Sequence, residues 1–173
     1  MALPFRPTRT EYFKQIGEVT VAFQTLEFYI RLGVVGFLGD DGTVGLIATS
    51  GLGFRALCQL LDALYHYRTS SADRLTRLTK LLEDARKAEE RRNAIMHSTW
   101  LISGEDARGA RDVVRLNIKT KSGKGLTIQT EHIGSDQIRA LSTELWKLVG
   151  ALKALYDEGC DAGEGPHPPN LNL

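Results

Sequence analysis

The stretch from Ser135 to Leu155 sets the strongest constraint on the fold. Its apolar residues Ile138, Leu141, Leu145, Leu148, Leu152 and Leu155 recur at alternating spacings of three and four, so they form one stripe along a helix. Ser135, behind Gly134, reads as the N-cap of that helix. Three earlier segments carry the same pattern. From about Thr10 to Leu32 the stripe is Ile16, Val19, Phe23, Leu26 and Ile30. From about Gly51 to Tyr67 it is Leu57, Leu60, Leu61 and Leu64, with Ser50 as the expected N-cap. A third begins after Ser70-Ser71 and runs through Leu75, Leu78, Leu82, Ala85 and Met96. Each stripe needs apolar partners, and four of similar length predict a mainly all-α, four-helix bundle.

Two connections depart from this plan. Residues 33–53 hold seven glycines, but neither GxGxxG nor GxxxxGK[ST] is present, so a flexible loop with an Asp41-Gly42 turn is expected instead of a phosphate cradle. Between the third and fourth helices the apolar period changes to two. Val114, Leu116 and Ile118 alternate with polar residues, Ser122-Gly123 marks a turn, and Leu126, Ile128 and Thr130 alternate again. This predicts an antiparallel β-hairpin inserted at about residues 100–133, joined by a short strand at Trp100-Leu101-Ile102.

Composition adds exclusions. Apolar residues are 42% of the 173 and charged residues 25%, ordinary for one globular domain, here read as residues 1–158. The end from Gly159 to Leu173, rich in Pro and acids, reads as a disordered tail. Cys58 and Cys160 lack CxxC spacing, so neither a disulfide framework nor a metal site is expected, and no cofactor. No uninterrupted apolar run is long enough for a bilayer, so a cytoplasmic protein without a membrane partner is expected.

Net charge is +1, yet the hairpin is locally basic. Arg108, Arg111, Arg115, Lys119, Lys121 and Lys124 face the single acid Asp112, a net of 6 − 1 = +5. Two readings stand: Arg115, Lys119, Lys121 and Lys124 contact RNA phosphates, or the cations guard an edge strand against aggregation.

The chemistry gathers at Glu89-Glu90-Arg91-Arg92-Asn93-Ala94-Ile95-Met96-His97-Ser98-Thr99-Trp100. Asn93 and His97 extend a polar face begun by Glu83, Arg86 and Glu90. Arg92 instead continues the buried stripe and needs a partner there. Glu27 on the first helix is one candidate, although Glu27 also stands four residues before Arg31. Arg92 and His97 lie about 140° apart on an ideal helix, so a shared site requires the long guanidinium to wrap round or the helix to end near His97. His66 and His132 have no such surroundings and read as structural.

Arg-Asn-x-x-x-His near the end of a third helix resembles the HEPN superfamily. Gly17-Glu18-x-x-x-Ala22-Phe23-x-x-Leu26-Glu27 is similar to that family's first helix, and the resemblance covers roughly residues 10–158, with the hairpin as a departure. It implies a metal-independent endoribonuclease that acts on RNA as a homodimer, two motif copies meeting across the interface. Arg92 would then face phosphate, His97 would move protons, Asn93 would orient its imidazole or donate to the phosphate, and Ser98 and Thr99 would add hydroxyl donors, with Glu27 in support. It also implies a toxin or phage-defence setting with a neutralising antitoxin partner. The alternative is a non-catalytic HEPN-fold module for dimerisation or nucleotide or RNA binding.

Overall fold

The structure is a computed structural model that describes residues 9–39, 42–105, 111–121, 125–131 and 133–166. The elements are α1 (Arg9–Leu38), α2 (Gly42–Thr49), α3 (Phe54–Arg68), α4 (Ala72–Met96), β1 (Thr99–Glu105), β2 (Arg111–Lys121), β3 (Gly125–Glu131) and α5 (Ser135–Asp161). The fold is mainly helical, with one antiparallel sheet in the order β1-β2-β3 inserted between α4 and α5. Leu26 and Ile30 of α1, Leu57 and Leu61 of α3, Leu78 and Leu82 of α4, and Leu145 and Leu152 of α5 are fully buried in a single core. Burying each such side chain stabilises the fold by about 1.5–3 kcal/mol before entropy is counted.

Contacts between elements give their directions. Phe23 meets Phe54 at 4.8 Å between ring centroids and Phe37 meets Tyr65 at 5.7 Å, so α1 and α3 run in parallel. Arg77 pairs with Glu158 and Arg91 with Glu144, so α4 and α5 are antiparallel. Arg139 pairs with Glu11 while Lys153 lies over the ring of Tyr29, so α5 again follows α1. Three helices therefore point one way and α4 points back.

The parallel pair α1–α3 depends on α2, which returns the chain, and here the glycine-rich loop expected over residues 33–53 is corrected. α1 continues to Leu38 and Gly42–Thr49 is helical. Glycine costs about 1 kcal/mol in a helix, which is why propensity pointed to a loop. Close packing outweighs that cost: a Cβ at Gly33 would collide with the Tyr156 hydroxyl, and one at Gly45 would sit 2.7 Å from Val35 Cγ1. Asp41 of the expected turn lies outside the described residues.

Three further expectations are corrected. Ser50 does not cap α3; its hydroxyl donates to the Ile47 carbonyl at the end of α2, and Gly53 is the N-cap residue. Ser135 is already helical, and the Gly134 N–H donates to the Gln137 side chain at 3.1 Å. The tail is not free from Gly159 onward. The Ser70 hydroxyl donates to Glu164 at 2.7 Å, Arg74 pairs with the same carboxylate, and the Cys160 thiol donates to the Pro166 carbonyl at 3.1 Å. Residues 167–173 lie outside the described residues. Among the described residues, α1 is long and apolar enough to cross a membrane by length and composition, and half of that window is buried inside the fold.

Candidate functional site

The Arg92–His97 segment closes α4, and the carbonyls of Asn93, Ala94 and Ile95 in its last turn are taken. His97 N–H donates to the Asn93 carbonyl at 3.0 Å, and the Trp100 indole donates to that of Ile95 at 3.1 Å. The Ala94 carbonyl accepts from the Ser98 hydroxyl and, at 3.0 Å, from Arg115 Nη1. Two of the orphan acceptors that a helix end leaves, at Ala94 and Ile95, are thus satisfied by local hydroxyl, indole and guanidinium donors. The Arg115 cation also complements the negative end of the helix dipole. Thr99 then begins β1, paired with Leu116, and Trp100 is paired with Arg115. α4 thus ends at Met96, with His97 as its C-cap residue.

Arg92 stands on a partly buried stripe. Its guanidinium carbon lies 4.6 Å from the centroid of the Phe23 ring, and Nη1 donates to Asn93 Oδ1 at 2.8 Å. Arg92 Nε is buried without a hydrogen-bond partner. Phe23, itself packed on Phe54, forms the shelf under this cation. Asn93 joins the site, holding Arg92 through its side chain and the His97 amide through its carbonyl. His97 is exposed, and no described side chain hydrogen-bonds its ring.

Glu27 is not Arg92's partner in this arrangement. It pairs with Arg31 at 3.3 Å, and Arg31 also donates to the carbonyls of Thr49 and Leu52. The i,i+4 neighbour on the same helix wins the carboxylate and clamps the end of α2 against α1. Glu89 and Glu90 are likewise occupied by Arg55, at 2.9 and 3.1 Å. Among the described residues, then, no carboxylate pairs with Arg92.

The expected hydroxyl donors divide. Ser98 donates its proton to Ala94, so it closes the helix and is no free donor. Thr99 is exposed at the start of β1. The hairpin cations divide too. Arg115 is only 9% exposed, tied to Ala94 and paired with Glu131, which corrects its reading as an open phosphate contact. It reaches Ala94 because β2 pairs with β1, which leaves the end of α4 at Thr99, and this pairing sets Arg115 opposite Trp100. Lys119 and Lys121 lie on β2, but their side chains lie outside the described residues, as does Lys124. Arg91, Ala94, Arg115, Glu131, Gln137 and Leu141 line a cleft of about 430 Å³ between α4, the sheet and α5.

The remaining reactive side chains stand apart. His66 Nδ1 lies 2.9 Å from the Asp62 carbonyl on its own helix, and His132 lies outside the described residues. Burial pushes the Cys58 thiol up to about 12, so it is no nucleophile near neutral pH. Sequence reasoning missed Phe23 as the arginine's shelf, and the donors Trp100 and Arg115. Phe23 was legible only as one member of a core stripe, and nothing in the order of residues marks the other two. Comparisons of the chain with family models, with curated proteins and with solved structures find no match.

Proposed function

We propose that the chain is a metal-independent endoribonuclease of the HEPN type, acting on RNA as a homodimer with paired Arg92–Asn93–His97 sites. The observation that carries this reading is the contrast between its two charged-site residues. Arg92 is a cation fixed on Phe23 and Asn93 with no described carboxylate to neutralise it, and His97 is exposed at the end of the same helix. A fixed planar guanidinium suits a phosphate and the charge that grows on a phosphorane. An exposed imidazole suits proton transfer near neutral pH.

Cleavage then needs no other reagent than the RNA strand. One imidazole takes the proton of the 2′-hydroxyl as its oxygen bonds to phosphorus. The bond from phosphorus to the 5′-oxygen breaks, and that oxygen receives a proton from an imidazolium. The products are a 2′,3′-cyclic phosphate and a 5′-hydroxyl. Each motif copy supplies one histidine, so acid and base together require two copies. A toxin or phage-defence setting with a neutralising partner follows from the resemblance alone.

The second reading is a non-catalytic HEPN-fold module for dimerisation or nucleotide or RNA binding. It draws on the engagement of Asn93 Oδ1 by Arg92, which makes the pair a structural lock. Incubating purified protein with total RNA and EDTA, beside His97→Ala, separates the two. Cleavage by wild type and none by the variant supports the nuclease; intact RNA in both leaves the binding module.

A further inference from the structure

α1 carries a ridge that the rest of the described fold leaves uncovered. Phe13, Val21 and Phe28 are 48%, 59% and 45% exposed, large fractions for such side chains, and Gly17 and Gln24 lie open between them. Positions 13, 17, 21, 24 and 28 follow spacings of four, four, three and four, which is one stripe on a helix. The stripe is nearly the same read in either direction about a point between Thr20 and Val21. Phe13 mirrors Phe28, Gly17 mirrors Gln24, and Thr20 mirrors Val21. A two-fold contact needs such a self-complementary surface, since the same patch must serve on both sides.

We propose that this ridge is the contact between two copies of the chain, α1 packing antiparallel on α1 with the dyad at Thr20–Val21. The inference rests on the two-copy reading above. In this arrangement Phe13 lies against the partner's Phe28. The hollow at Gly17, where an added Cβ would meet nothing within 4 Å, receives the partner's Gln24.

The position of the dyad ties the ridge to the site. Thr20 Oγ1 donates to Met96 Sδ at 3.5 Å, so the end of α4 stands level with the centre of the stripe. A dyad that makes the two α1 helices antiparallel lies in the interface and crosses them at right angles, so it brings like flanks together. α4 lies on the same flank in both copies, and His97 faces the partner's His97 across the dyad. The opposite flank adds area. Arg139 and Lys153 on α5 touch Glu11 and Tyr29 of α1, and Trp146, midway between them on the same face, is 47% exposed.

The test places a charge at the dyad. Wild type should sediment at micromolar concentration as twice the 19.1 kDa chain, and Val21→Arg as a single chain with unchanged far-ultraviolet circular dichroism. Like charges meeting at the contact should weaken dimerisation about 100-fold or more. In a Cys160→Ser background, Val21→Cys should form a covalent dimer on mild oxidation. A monomeric wild type, a Val21→Arg variant that remains dimeric, or a Val21→Cys variant that does not cross-link overturns the contact. So does a monomer whose ridge instead binds phosphatidylcholine vesicles in a Val21-dependent way. RNA cleavage is read separately. Loss of the dimer in Val21→Arg when wild type cleaves no RNA upholds the contact and removes the nuclease reading. A monomeric wild type that cleaves RNA removes the contact and the paired site together, and leaves cleavage to a single copy.

Discussion

The guanidinium of Arg92 rests on the face of Phe23, 4.6 Å from its ring centroid, so an aromatic ring holds the motif's arginine where a carboxylate was expected. Arg92→Ala therefore strands no described carboxylate, and its cost is the lost cation–π contact and one side-chain hydrogen bond, about 1–2 kcal/mol. A loss well above that in thermal denaturation would point to a buried ion pair after all. Arg92→Lys keeps the charge and loses the planar fork. It should fold and dimerise but cleave RNA poorly.

His97 fills no core space, and only its main chain closes α4. His97→Ala should leave stability within about 0.5 kcal/mol of wild type while abolishing cleavage. Paired denaturation and RNA-cleavage assays check both halves.

Arg115 and the lysines of the hairpin should separate cleanly. Arg115→Met removes a nearly buried cation from the Ala94 carbonyl and from Glu131, and stability should fall by about 2 kcal/mol. The triple change Lys119→Glu, Lys121→Glu and Lys124→Glu should leave the helical signal intact. If those lysines meet phosphates, it should weaken RNA binding and flatten its salt dependence. Unchanged affinity together with aggregation would assign them to edge protection.

Two glycines should respond in opposite directions. Gly33→Ala drives a methyl into the Tyr156 hydroxyl and should cost about 1–3 kcal/mol. Gly150→Ala meets nothing within 4 Å on an exposed face of α5 and should stabilise by up to about 1 kcal/mol. Chemical denaturation of both variants checks the signs.

Glu164 ties the end of the described chain to the start of α4, and the Ser70 hydroxyl, followed by Arg74, holds its carboxyl below the ordinary value of 4.5. A carboxyl lowered in the folded state stabilises above its unfolded value, and the stabilisation is lost as pH falls through the folded value. Protection of the Gly163 and Gly165 amides, taken relative to their intrinsic exchange rate at each pH, should therefore fall as pH drops below about 4.5. Glu164→Gln should remove that extra dependence.

Helices packed by repeating leucines were legible in the sequence because burial and spacing coincide there. The end of α4 near His97 was legible too, since the strand-like period begins at Trp100. The run from Gly33 to Thr49 was not, because glycine's low helix propensity is visible in sequence while the neighbours that demand it are not. Glu27 failed for a related reason. Two arginines stood within its reach in principle, and only the packing of α2 against α1 decides for Arg31. The clasp at Glu164 escaped notice because Pro, Gly and acids read alike in a loose tail and a fastened one.

α1 packs more extensively on α5 than any other two elements pack on each other. About a hundred residues separate these helices, so closing that contact carries one of the larger loop-closure costs in the chain. Folding speed falls as such distant contacts dominate. On the ribosome the first helix is made long before the last, and its buried face stays without its main cover until α5 emerges. The order of synthesis thus makes the arrival of α5 the step that covers this face, and a chain stopped before it would expose the apolar face of α1 to any passing chaperone or protease.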